Sequence, residues 1–253
     1  MKFRTISRLI YLKKARHRHG HGIHSPFLFR LITTVIENRQ ALPEYKVLKY
    51  LKVKVVNLLS EFSDQSLSTI YHQYNLPNSN PRKLYRKVEL PYRYGKVVFR
   101  LIRELNPASV INYGPTFGAN LAIMAMENTN RIVCQEINNP IYELLSNNLL
   151  KDLSLTNIQF FDDKSVPSIN SEFIVLNYAD NPDQSRRVIQ KKLMMPGDND
   201  ILIIRGIHES PEMESIWQEL TASESVRVSL DLFEIGIVLF QKGLQKENFV
   251  FKY

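Results

Sequence analysis

Only one cysteine, Cys134, occurs among the 253 residues. A lone cysteine excludes an intramolecular disulfide and fits a reducing, cytoplasmic setting. Long apolar runs are also missing, so no membrane-spanning helix is expected. The first twenty residues, MKFRTISRLIYLKKARHRHG, are basic, but Arg8, Lys13 and Lys14 interrupt their apolar positions. They offer no continuous apolar core for a secretory leader. Acids are scarce near the start, where residues 1–54 contain only Glu37 and Glu44. Glycine is sparse, nine in all, so two glycines four positions apart stand out.

The charge that is present is unevenly placed. Residues 1–54 hold thirteen Lys and Arg against two acids, a net +11. The remainder holds twenty against twenty-three, a net −3, which recovers the overall +8. Such asymmetry points to an acidic partner (an anionic membrane surface, nucleic acid or another protein) or to a solvated helical face. Nucleic acid is the weaker reading. Tyr11, Phe27, Phe29, Tyr45 and Tyr50 are interleaved with the cations, yet no nucleic-acid motif appears and most of these aromatics fall at core-compatible spacing. The expected location is cytoplasmic, with the basic segment able to bring the protein to the inner membrane surface.

Along the chain, Phe3, Ile6, Leu9, Ile10 and Leu12 suit one face of a short cationic helix over 2–16, which could lie on lipid or dock on its own domain. RHRHGHGIH follows (16–24). Its alternating His17, His19, His21 and His24 could face one side, but no cysteine or acid lies nearby to complete a metal set, so a pH-sensitive basic joint is expected instead. Ser25-Pro26 reads as a helix start. Further helices are expected over 44–60, 66–74 and 88–105, with NLPNSNPRK (75–83) as a loop.

After Pro107 the pattern changes. Apolar strand-like runs at 109–113, 131–136, 157–161, 173–178 and 200–205 alternate with helix-length stretches, which predicts a mainly parallel sheet with both faces covered. VRVSLDLF (226–233) and IGIVLFQK (235–242) are too close for a crossover helix, so they must form an antiparallel hairpin. The expected organisation is a basic arm over 1–24, a helical region over 25–105 and an α/β domain over 106–253.

The segment SVINYGPTFGANLAIMAMENTNRIVCQE (109–136) carries the chemistry. A strand runs into Gly114 and Gly118, a small-residue helix follows, and a second strand closes on Glu136. Glycines let backbone approach a ligand closely, and an acid ending the second strand can accept two hydrogen bonds from a ribose diol. The G-x-x-x-G spacing is not the dinucleotide fingerprint.

This arrangement resembles the class I S-adenosylmethionine-dependent methyltransferases. The closest resemblance is to a methyltransferase-like group associated with Bacteroidetes. It is carried by HGIHSPFLFRLIT (21–33), by YGKVVFRLIRELNPASVINYGPTFGANLA (94–122) and by IHESPEMESIWQEL with the terminal VRVSLDLFEIGIVLFQKGLQKENFVFKY. The resemblance implies a Rossmann-like, doubly wound, mainly parallel seven-stranded sheet with the hairpin at its C-terminal end. It also implies S-adenosylmethionine as cofactor. Gly114 and Gly118 would shape the loop under the methionine moiety, Glu136 would hold the ribose hydroxyls, and Asp163 would lie beside the adenine.

Three strand ends depart from the family pattern. Asn112 stands where the first strand usually ends in an acid, Asn177 where the fourth ends in Asp, and Arg205-Gly206 where similar sequences carry paired acids. Asn112 and Asn177 would still line the cofactor, offering neutral acceptors in place of carboxylates. Magnesium needs hard oxygen ligands, so no metal is expected. His208, beyond the fifth strand, is the candidate general base, with a plain loop histidine as the alternative. The functional expectation is a metal-independent methyltransferase-like protein with its acceptor left open. The alternative is a catalytically degenerate scaffold that binds partners through its basic N-terminal region.

Overall fold

The structure, a computed structural model, describes residues 2–15, 23–62, 64–74, 76, 80–126, 132–136, 139–162 and 173–253. His17, His19 and His21 of the expected joint lie outside these residues.

Ten α-helices and eight strands are present among them. The helices are α1 (Lys2–Lys14), α2 (Pro26–Arg30, continued as a π-helical turn over Leu31–Ile36), α3 (Tyr45–Glu61), α4 (Asp64–Gln73), α5 (Pro81–Val88), α6 (Tyr92–Leu105), α7 (Ala119–Ala125), α8 (Pro140–Asp152), α9 (Pro182–Met194) and α10 (Pro211–Ala222). The strands are β1 (Ser109–Tyr113), β2 (Ile132–Glu136), β3 (Ile158–Phe161), β4 (Phe173–Leu176), β5 (Ile201–Arg205), β6 (Val228–Asp231), β7 (Ile235–Leu239) and β8 (Glu247–Val250). No described helix is long and apolar enough to cross a membrane.

The strands follow the order β3-β2-β1-β4-β5-β7-β6-β8. Pairing is parallel for β2 with β3, β1 with β4 and β4 with β5. β7 is antiparallel to both β5 and β6, which makes the expected hairpin the reversed element of the sheet. β8 adds an eighth strand, parallel to β6. It lies in a segment, ENFVFKY, that the sequence reading did not count as a strand. The mainly parallel, Rossmann-like architecture and the helical N-terminal region are those expected.

The contacts group the elements into two compact units. One holds α1, α2, β1 and the chain from β4 onward. Its central strands are buried throughout, as Ile201-Leu202-Ile203-Ile204 illustrate. An unbroken apolar strand belongs in a sheet covered on both faces. The other unit holds α3 to α8, the loop after β1, β2 and β3. Its core is built from Leu51, Val55 and Leu59 of α3 and Val97, Val98 and Leu101 of α6.

Helix starts share a local grammar. Ser25-Pro26, Asn80-Pro81, Asn139-Pro140, Asn181-Pro182 and Ser210-Pro211 each place a capping oxygen before a proline at the first helical position. In α5, for example, Asn80 Oδ1 accepts from the Lys83 amide at 2.9 Å. Proline gives up an amide that has no helical partner there anyway, and the cap satisfies one of the remaining donors.

One expectation is corrected. The helix read over 88–105 begins only at Tyr92, as α6, while Val88 ends a separate helix, α5, which begins inside the stretch read as a loop. The Asn-Pro composition of 75–83 masks a capped helix start at Asn80. Pro91 forces an extended residue before it and opens α6. α6 ends as expected at Asn106-Pro107, with Asn106 in the left-handed conformation (φ 43°).

Gly236 in β7 meets the ring of Trp217, the only tryptophan. A methyl at this position would lie 2.4 Å from Trp217 Cζ3 and 2.6 Å from Cη2. Gly236→Ala is expected to destabilise the protein by about 1–3 kcal/mol through overpacking. The loss is read as a lower urea midpoint in the fluorescence of Trp217. An unchanged midpoint would show that the ring moves aside freely.

Candidate cofactor site

The bend after β1 is built within one unit. Gly114 (φ 98°) and Gly118 (φ 100°) both adopt the left-handed conformation. Gly118 also sits tightly on α8, where a Cβ would fall 3.0 Å from Ser146 Cα and 3.1 Å from Leu149 Cδ2. Both positions therefore select glycine on conformation, and the second on space as well.

Buried amides in such a bend need acceptors. Glu136, at the end of β2, accepts the Gly114 amide at Oε2, 3.1 Å away. Gln135 donates from Nε2 to the Gly114 carbonyl at 2.9 Å, so two consecutive β2 residues hold opposite sides of one glycine. Glu89 supports the far side of the bend. Its Oε1 accepts from the Thr116 hydroxyl at 3.0 Å and the Phe117 amide at 2.5 Å, and its Oε2 accepts from the Asn120 amide at 3.0 Å. Thr116 Oγ1 in turn accepts from the Gly118 amide at 3.0 Å. Glu89 is completely buried.

Glu89 and Asn120 are the functional residues that sequence reasoning missed. Glu89 lies 28 residues from Phe117 in the chain, and no spacing rule joins them. Asn120 Oδ1 accepts from the Leu90 amide at 3.1 Å, which leaves its buried Nδ2 without a hydrogen-bond partner among the described residues. An orphaned donor beside a glycine bend is chemically suited to a ligand oxygen.

A buried amide donor, Asn120 Nδ2, and a carboxylate acceptor, Glu136, are the group types that a nucleoside's hydroxyls require, so the residues present fit the nucleoside part of S-adenosylmethionine. Asp163, expected beside the adenine, lies outside the described residues.

Three of the remaining expected residues belong to the other unit. Asn112 is fully buried on β1. Asn177 follows β4; its Oδ1 accepts from Arg205 Nη1 at 2.9 Å, and its amide donates to the Tyr113 carbonyl at 2.8 Å. Arg205, ending β5, thus brings a cation to the Asn177 amide at the carboxyl ends of two adjacent strands. No cluster of three His, Cys, Asp or Glu side chains suited to a metal occurs among the described residues.

The third, His208, is enclosed by carboxylates. Its Nε2 lies 2.8 Å from Asp231 Oδ2 and its Nδ1 3.4 Å from Glu214 Oε2. Phe233 stacks on the ring at 5.3 Å, and Tyr11 of α1 lies 6.2 Å away. Burial, the largest influence, pushes the imidazole pKa down, but the hydrogen bond to Asp231 and the two negative charges outweigh it, so the pKa is raised. Ser7 of α1 donates to the same Glu214 Oε2 at 2.9 Å, so the histidine, its two acids and α1 form one cluster.

Comparisons with known proteins bear on the fold. No protein-family model matches the chain, and no curated protein matches it. Solved structures do. An S-adenosylhomocysteine-bound Podospora anserina methyltransferase, PaMTH1, superposes with a TM-score of 0.58 at 10% identity, over 87% of this chain and 97% of its own. The O-methyltransferase TomG from Streptomyces achromogenes, involved in tomaymycin synthesis and solved with S-adenosylmethionine, gives 0.52 at 10% identity, over 79% and 100%. A Bacillus cereus O-methyltransferase in complex with S-adenosylhomocysteine gives 0.50 at 11% identity, over 77% and 99%. The fold is that of the Rossmann-like methyltransferases.

Glu89→Gln turns one acceptor of the bend into a donor facing donors. It is expected to cost about 1–3 kcal/mol, seen as a lower urea midpoint. A midpoint equal to wild type would mean that the bend does not depend on this carboxylate.

His208 gives a pH-dependent term. A folded pKa above the ordinary 6.5 stabilises fully below 6.5, and the contribution is lost as pH rises through the folded pKa. Thermal midpoints measured from mildly acid to mildly alkaline pH should therefore fall across that window in wild type, and His208→Gln should flatten the fall. Equal slopes in both proteins would remove His208 from the linkage.

Proposed function

We propose that this chain binds S-adenosylmethionine and is a metal-independent methyltransferase whose acceptor carries an oxygen or nitrogen nucleophile. The observation that carries the reading is the 3.1 Å contact between the Glu136 carboxylate and the Gly114 amide. It sets an acid at the end of the second strand against a glycine bend, the pairing that a ribose-binding reading needs. The fold shared with methyltransferases solved with this cofactor or its demethylated product supports it.

Methyl transfer from a sulfonium depends on alignment of nucleophile, carbon and leaving sulfur more than on acid–base groups. The cofactor supplies an activated methyl group; the protein's task is to hold it. Gly114 and Gly118 would admit it, and Glu136 would hold its ribose. His208, whose pKa is raised beside Asp231 and Glu214, would be the candidate general base beyond β5, or would only organise that loop.

A second reading keeps the scaffold and drops the transfer. It is favoured by one pair, Arg205 donating to Asn177, because a cation at those strand ends opposes a doubly cationic ligand portion. On this reading the fold serves as a binding protein. The resemblance to the Bacteroidetes-associated group is compatible with either reading.

Calorimetric titration with S-adenosylmethionine decides between them. The enzyme reading expects saturable binding, weakened at least about tenfold in Glu136→Ala by loss of charge-assisted hydrogen bonds and abolished in Gly114→Asp. Lack of heat at millimolar-order cofactor would leave the scaffold reading. Binding untouched by either substitution would put the pocket elsewhere.

A further inference from the structure

Helix α1 has two faces with different fates. One face is docked. Arg4 pairs with Glu209 and Glu234, Ser7 donates to Glu214 at 2.9 Å, and the Tyr11 hydroxyl donates to the Phe251 carbonyl. Ser7 and Tyr11 are 5% and 4% exposed. The spacing 4, 7, 11 is one stripe of a helix.

The opposite face holds the helix's larger apolar side chains. Ile6 and Leu9 are 56% and 59% exposed, and Ile10 and Leu12 are 46% and 42%. Positions 6, 9, 10 and 13 form the outward stripe, which ends on Lys13. Lys13 and Lys14 are exposed in the last turn, and the helix contains no acid.

We propose that this face of α1 is an interfacial anchor for anionic lipid, with Ile6, Leu9 and Ile10 entering the headgroup boundary. Lys13 and Lys14 then meet lipid phosphates and carboxylates. The charge pattern selects the occupant. A second copy laid on this face would oppose cation to cation with no acid to offset it, whereas an anionic bilayer supplies both the apolar layer and the counter-charge. Lysines at the edge of such a stripe keep their heads at the polar level while their stems cover apolar surface. Because Arg4, Ser7 and Tyr11 already fix α1 to the protein, the apolar stripe faces out without any rearrangement. The inference is independent of the proposed methyltransferase activity.

Cosedimentation of the full chain with phosphatidylcholine vesicles, with and without phosphatidylserine, tests it. Binding is expected to the anionic vesicles and to be at least about tenfold weaker to the neutral ones. I6E/L9E should reduce binding to anionic vesicles at least about tenfold. K13E/K14E should reduce it in anionic vesicles alone. All four positions are exposed, so both variants should retain the wild-type thermal midpoint. Absence of binding, or binding indifferent to I6E/L9E, overturns the proposal. So does a concentration-dependent dimer, seen without lipid and lost in I6E/L9E, since that outcome gives the stripe to a second copy.

Discussion

Four amide protons in the bend after β1 have to be satisfied away from water, and much of the local structure follows from how this is done. Those of Gly114, Phe117, Gly118 and Asn120 go to Glu136, Glu89, Thr116 and Glu89 respectively. A buried amide without an acceptor costs on the order of 1–3 kcal/mol, so a bend with this many is tolerable only with acceptors in place. Two carboxylates and a hydroxyl supply them. They tie the end of β2 and the connection between α5 and α6 to a single loop. A rigid bend of this kind presents backbone at close range with little ordering left to occur on binding, which is what preorganisation of a ligand site requires.

The same arithmetic explains why part of this site was legible in the sequence and part was not. Gly114, Gly118 and Glu136 stand at the ends of predicted strands, and a strand end is a place where chain order and ligand geometry coincide. The alternation of apolar runs with helix-length stretches conveyed the parallel sheet, and the short spacing of 226–242 conveyed the hairpin, because both are period and length effects. Glu89 is different. It lies in a helix-to-helix joint beside a proline, and only the folded chain brings it to Thr116 and Phe117. Gly236 is also silent in sequence, since its reason for being glycine is a tryptophan ring from another element. α5 was hidden by its own capping residues. Asn and Pro read equally well as a loop and as a helix start, and only the amphipathic turn beyond them decides.

His208 shows how a residue's chemistry depends on partners that its neighbours in sequence do not announce. Beyond a strand end, an isolated histidine invites a base. Here Asp231 comes from the hairpin and Glu214 from α10, and together they raise the ring's affinity for a proton. Ser7 and Tyr11 join the same cluster from the first helix of the chain. The basic N-terminal segment is therefore partly spent on internal contacts, Arg4 with Glu209 and Glu234, Lys54 with Asp152, and Arg8 over the Phe233 ring. Net charge counted along the sequence overstates what a partner would meet.

A strand end such as Asn177 keeps the acceptor geometry that a carboxylate would offer and lacks its charge, and hydrogen bonds to charged groups exceed neutral ones by roughly 1 kcal/mol. Arg205 acts differently, since a cation near the strand ends disfavours a second cation and favours an anion. Its hydrogen bond to Asn177 ties the ends of β4 and β5 together through an amide oxygen, which accepts from the guanidinium without adding a negative charge.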